Sequence, residues 1–171
     1  VIVSIIETDG ILEKFEDKKH YGEKKIIDNS SIRYGILNYV AKYSLASNSY
    51  FVTSKCFEHL NNLGLMKKGK LLRGSKGSKN RFTFEHPIPS NVIADEVIKN
   101  IGDKNKIMNI LRETDLVTVI TYEENDMINR SGYLKKMPIN SLTQRDMFAR
   151  YKLSGVEVPS RRIKVYGAIA R

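Results

Sequence analysis

Leu116-Val117-Thr118-Val119-Ile120-Thr121-Tyr122-Glu123-Glu124 is the stretch on which the fold class turns. Apart from Leu116, the residues from 116 to 121 are all β-branched, which suits a pleated, buried strand. Thr121 stands three residues before Glu124, the spacing of a capping box, so the strand is predicted to pass directly into a helix. Strand and helix in one continuous segment, with helical periodicity before it, predict an α+β fold. The expected order is a helical N-terminal half with a basic β-hairpin, followed by a mixed α/β C-terminal half.

Upstream, Asp103 to Arg112 reads as a helix through Ile107, Ile110 and Leu111. Before it, Ser90 or Asn91 caps a helix with Asp95 and Glu96 in its early turns, Ile93, Val97 and Ile101 on one face, and Gly102 as its stop. A helix from about Thr53 to Leu63 sets Cys56, Phe57, Leu60 and Leu63 on one side and ends at Gly64. An earlier helix, capped by Asn29 or Ser30, carries Ile32, Ile36, Leu37, Val40 and Tyr43, and Ser44 to Ser49 is a polar break between the two. Val1 to Ile6 reads as a buried strand, and Glu13 to Asp28 as exposed and irregular. Downstream, Ser141-Leu142-Thr143-Gln144 is a second capping box, opening a helix that ends near Ser154-Gly155. Ile163, Val165 and Ile169 alternate with polar positions as a last strand. Without repeats or a long linker, residues 1–171 are expected to form one domain, divisible into a nucleic-acid-binding part (1–89) and an α/β part (90–171).

Charge points to the partner. The chain has 171 residues, Lys+Arg 29 against Asp+Glu 19, a net charge of +10 and a pI near 9.6, the balance of a nucleic-acid-binding domain. Lys67, Lys68, Lys70, Arg73, Lys76, Lys79 and Arg81 fall in a Gly/Ser-interrupted stretch with no acidic residue. Leu65 to Phe84 accordingly reads as two short strands joined by a basic tip that contacts phosphates. The single cysteine, Cys56, excludes a disulfide framework within the chain and fits a reducing, cytoplasmic setting. No apolar run approaches the ~20 residues of a membrane span, and the N-terminus lacks the marks of a signal peptide. A homodimer is compatible with this composition.

His20 and His59 read as surface residues, whereas His86 follows a strand, is preceded by Glu85, is flanked by Pro87 and Pro89, and adjoins the cationic stretch. Glu85-His86-Pro87-Ile88-Pro89 resembles the first motif of HNH-type nucleases. The resemblance implies that His86 is a general base activating water and that Glu85 is a ligand for a divalent metal. The rest of that motif has no counterpart, since no histidine follows His86, so no full ligand set for a metal cofactor is assigned. The same residues suit metal-independent ribonuclease chemistry, with Glu85 and His86 as base and acid and Arg81 or Lys79 stabilising the phosphorane. Arg145, Arg150 and Tyr151 are further candidates for phosphate contact. The order of elements over residues 30–85 also resembles a winged helix-turn-helix, which implies that Lys55, Glu58, Asn61 and Asn62 read bases. Phosphate loops and nucleophile elbows are absent from the sequence. The leading expectation is a nuclease with Glu85, His86 and Arg81 at its reaction centre, DNA ahead of RNA. The alternatives are a DNA-binding regulator without catalysis and a metal-independent ribonuclease toxin.

Overall fold

The structure is a computed structural model that describes residues 31–45, 49–72 and 80–165. The strand predicted at Val1 to Ile6, the irregular segment 13–28, the caps Asn29 and Ser30, His20, Arg73, Lys76, Lys79 and Ile169 lie outside those residues. The fold is α+β. The chain divides into two compact units, one holding residues 31–43 and 90–115 and the other the described parts of 44–89 and 116–165.

The first unit is helical, with most of α1 (Ser31–Leu45), α3 (Ser90–Lys99) and α4 (Lys104–Glu113). The periodic apolar positions are the buried ones: Ile36 and Val40 on α1, Ile93, Ala94 and Val97 on α3, Ile107 and Leu111 on α4. Asp103 caps α4 by accepting from the Lys106 amide at 2.9 Å.

The second unit is built on a six-stranded mixed sheet in the order β2-β3-β6-β1-β5-β4. Its strands are β1 (Ser49–Val52), β2 (Met66–Lys67), β3 (Lys70–Leu71), β4 (Phe82–Glu85), β5 (Thr118–Thr121) and β6 (Arg161–Val165). Three helices belong with it: α2 (Ser54–Asn62), α5 (Tyr122–Arg130) and α6 (Ala149–Leu153). β1 and β5 are parallel, with Phe51 opposite Thr118 and Val52 opposite Val119. Side chains alternate across each strand. One face, with Tyr50, Val52, Phe82, Val117, Val119, Ile163 and Val165, packs on Cys56 and Leu60 of α2. Ile120 turns to the other face and packs with Ile128 of α5 and Tyr151 of α6.

The predicted strand and capping box at 116–124 are present, and they join β5 to α5. The predicted helix 53–63 is α2, capped by Thr53 and followed by Gly64 at φ +65°. Three expectations are corrected. Residues 65–84 are not one hairpin: Lys68 and Gly69, at φ 50° and 72°, close a tight two-residue turn between β2 and β3. β4 instead pairs with β5 at the far edge of the sheet, because Phe82 and Phe84 pack into the core under α2. Ser141 opens no helix: the Gln144 amide that its hydroxyl would cap bonds to the Asn140 carbonyl at 3.0 Å, the hydroxyl itself donates to the Pro138 carbonyl at 2.7 Å, and the chain turns at Asn140 and Arg145, both at positive φ. Helix begins only at Ala149. Finally, β1 begins at the end of the segment read as a polar break, and it is central to the sheet.

Candidate functional site

β1 and β5 run side by side, and each hands over to a helix at its carboxyl end through a threonine. Thr53 Oγ1 accepts from the Cys56 amide at 3.3 Å and donates to Glu124 Oε2 at 2.9 Å. Glu124 Oε2 also accepts from the Thr121 amide at 2.9 Å and the Thr121 hydroxyl at 3.0 Å. One buried carboxylate therefore holds both helix starts in register. The crevice outside the carboxyl ends of parallel strands is where open α/β sheets commonly bind ligands.

A cleft of about 220 Å³ opens at this end, lined by Lys55, His59, Arg81, Thr121 and Glu123. Lys55 and His59 lie four residues apart on α2, hence on one helix face. His59 Nε2 is 2.7 Å from the Asn80 carbonyl. Since a carbonyl only accepts, Nε2 carries the proton and Nδ1 is the nitrogen left to meet a ligand. Lys55 Nζ pairs with Glu123 Oε2 at 2.6 Å. The Lys55 hydrogen bond holds the Glu123 carboxyl below its usual range, with the charges of Lys55, Arg81 and His59 acting in the same direction. Arg81 is exposed, adopts φ 53° and gives its carbonyl to the Tyr122 amide at 2.9 Å. On the same end, Glu157 accepts from the Ser54 amide at 3.0 Å and its hydroxyl at 2.9 Å. The cleft thus gathers three potential cations around a carboxylate already held by one of them.

Glu85 and His86 lie at the other end of β4. β4 runs antiparallel to β5, with Phe82 opposite Thr121 and Glu85 opposite Thr118, so Arg81 and Glu85 bracket the strand. That separation is about 13 Å at the rise of a strand. Glu85 Oε2 accepts from the Tyr151 hydroxyl at 2.5 Å, and Oε1 pairs with the Arg150 guanidinium. Arg150 has a side-chain exposure of 1% and donates to the carbonyls of Pro87, at 2.7 Å, and His86, at 2.5 Å. It also reaches the Tyr133 carbonyl at 2.7 Å. Burial lowers its pKa to about 10, which leaves it a cation at neutral pH. Its donors are engaged inside the protein, so in this arrangement the phosphate contact expected of Arg150 has no open face. The expected trio of Glu85, His86 and Arg81 falls within six residues of the chain and is divided in space. Among the described residues no three His, Cys, Asp or Glu side chains group as metal ligands.

Lys67 and Lys68 are exposed and Lys70 half-buried around the β2–β3 turn, at the edge of the sheet opposite Arg81. Taken alone in the sequence, His59 reads as a surface residue and not as part of a cleft. The i, i+4 pairing of Lys55 with His59 was the available signal, but the partner that orients the ring comes from Asn80, far along the chain. No protein-family model matches the sequence, and neither a curated protein nor a solved structure matches the chain. Among the described residues, no helix is long and apolar enough to cross a membrane.

Proposed function

We propose that this chain is a nuclease that holds a phosphodiester in the Lys55–His59–Arg81 cleft. The observation that carries the reading is the convergence of these three side chains at the carboxyl ends of parallel strands, with Arg81 also closing the most cationic stretch of the sequence. Imidazole is suited to move protons near neutral pH. His59, fixed through Nε2, presents Nδ1 to take the proton of the attacking hydroxyl as its oxygen bonds to phosphorus, and returns that proton to the leaving oxygen as the old P–O bond breaks. Lys55 and Arg81 supply positive charge where the pentavalent phosphorane accumulates negative charge. Glu85 and His86, the residues singled out by the HNH resemblance, serve in this reading as a support that Arg150 ties to α6.

The test is cleavage of plasmid DNA and total RNA, with and without divalent metal, by the wild type and by His59→Ala, Arg81→Ala and His86→Ala. Loss of a general acid–base group typically costs about 10²–10⁴-fold, and a loss of that order in His59→Ala is the expected result. His86→Ala should retain more activity than His59→Ala. The reverse order would move the reaction to the Glu85 end, and absence of cleavage under every condition would remove the nuclease reading.

A further inference from the structure

Strand directions in the second unit bring distant cations to one end of the sheet. β6 runs antiparallel to β1, with Arg161 opposite Val52 and Arg162 opposite Phe51, so β6 starts where β1 ends. β3 runs parallel to β6, with Lys70 opposite Lys164, so the Lys68–Gly69 turn that precedes β3 faces the same end. Arg81, just before β4, stands there too. Across the order β2-β3-β6-β1-β5-β4, the rim runs obliquely from Lys67 and Lys68, through Arg161 and Arg162, then Lys55, to Arg81: Lys67 and Lys70 share a row with Lys164 and Ser49, Arg162 shares one with Phe51, Thr118 and Glu85, and Arg81 lies beyond Thr121. Five strand spacings and about six residues of stagger make it roughly 31 Å long. Of the carboxylates that border the rim, Glu123 is held by Lys55 and Glu157 by Ser54.

The two arginines are built in. Arg161 lies over the Phe57 ring at 4.0 Å and Arg162 over the Phe51 ring at 4.1 Å, one on each face of the sheet. Both remain exposed. Stacking restrains a guanidinium while its N–H edge stays directed at solvent, which reduces the entropy lost when the fork closes on a phosphate. Such donors strung along one border suit separate phosphates of an extended nucleic-acid backbone.

We infer that the rim from the Lys67–Lys68 turn through Arg161 and Arg162 to Arg81 is a continuous track for a nucleic-acid backbone, with the cleft at one end of it. The inference rests on the proposed cleft for its placement, but its readout is binding and needs no cleavage. Affinity for a fluorescein-labelled 30-base-pair DNA duplex, and for a single-stranded RNA of 30 nucleotides, is measured against salt. On the duplex each phosphate contact contributes a slope of about −0.9 in log affinity against log salt. Arg161→Ala/Arg162→Ala should flatten the slope by about 1.8, and adding Lys67→Ala/Lys68→Ala by about 3.6 in all. With RNA the changes should be somewhat smaller. Arg161→Lys/Arg162→Lys keeps the charge and loses the planar stack, so it should keep most of the slope with weaker affinity. Because these side chains lie outside the cleft, kcat at saturating substrate should be unchanged in the alanine pair. An unchanged salt slope on both substrates in the quadruple variant, with wild-type thermal unfolding, would overturn the track. Flattened slopes in a protein that cleaves nothing would uphold the track and reject the reaction.

Discussion

Arg150 shows how one residue fixes a loop junction. Its guanidinium joins Glu85 on β4, the carbonyls of His86 and Pro87 beyond that strand, and the Tyr133 carbonyl beyond α5. Removing one partner of a buried ion pair leaves the other charge uncompensated. Arg150→Ala should therefore cost about 3–5 kcal/mol in urea unfolding, a loss that an exposed phosphate ligand would not give. Burial also pushes the Cys56 thiol from 9.0 up to about 12 and raises the Tyr151 phenol, whose shift the charge of Arg150 partly opposes. For both groups the folded pKa lies above the unfolded one, so the folded state binds more protons at alkaline pH. Cys56 thus contributes in full below pH 9, and its contribution is lost as pH rises toward about 12. Thermal unfolding should fall over that window, and Cys56→Ala should make the decline shallower.

At the level of elements, the two strand-to-helix corners are coupled through Glu124, which bonds to the cap of α2 and to the cap of its own helix α5. Replacing it with alanine leaves the Thr53 hydroxyl and the Thr121 amide without their acceptor. A cost of about 2–3 kcal/mol is expected, with Glu124→Gln losing less because an amide oxygen still accepts. Both corners should loosen together, so amide exchange should rise in the first turn of α2 and the first turn of α5 alike. The α5 corner was legible in the sequence, because Thr121 and Glu124 carry the whole signal within four residues. Its tie to Thr53 was not, since the two residues are 71 positions apart. The Ser141 box is deceptive for the converse reason: the spacing is right, but the Gln144 amide is taken by the Asn140 carbonyl, and a motif of four letters does not contain its competitor.

For the molecule as a whole, the α+β class followed from one strong strand and several periodic helices. Sheet order did not, because β2 and β3 are two residues each and β1 four, too short to show a period. The candidate site was half legible for the same reason. Of its cations only Arg81 stood in the basic run along the chain, and only the pairing of β4 with β5 shows that Arg81 and Glu85 lie at opposite ends of one strand. The position of β6 has a consequence for how the protein is made. It is the last of the described strands to leave the ribosome, yet it sits inside the sheet, hydrogen-bonded to β3 on one side and β1 on the other. At roughly 5–20 residues per second, the nascent chain waits several seconds between releasing Leu71 and releasing Arg161. Until then the hairpin β2–β3 and, once Thr121 is out, the β1–β5–β4 ribbon have no strand to join them, and each turns an open edge toward solvent or toward another nascent copy. Synthesis of five residues, Arg161 to Val165, then closes the sheet and withdraws both edges at once.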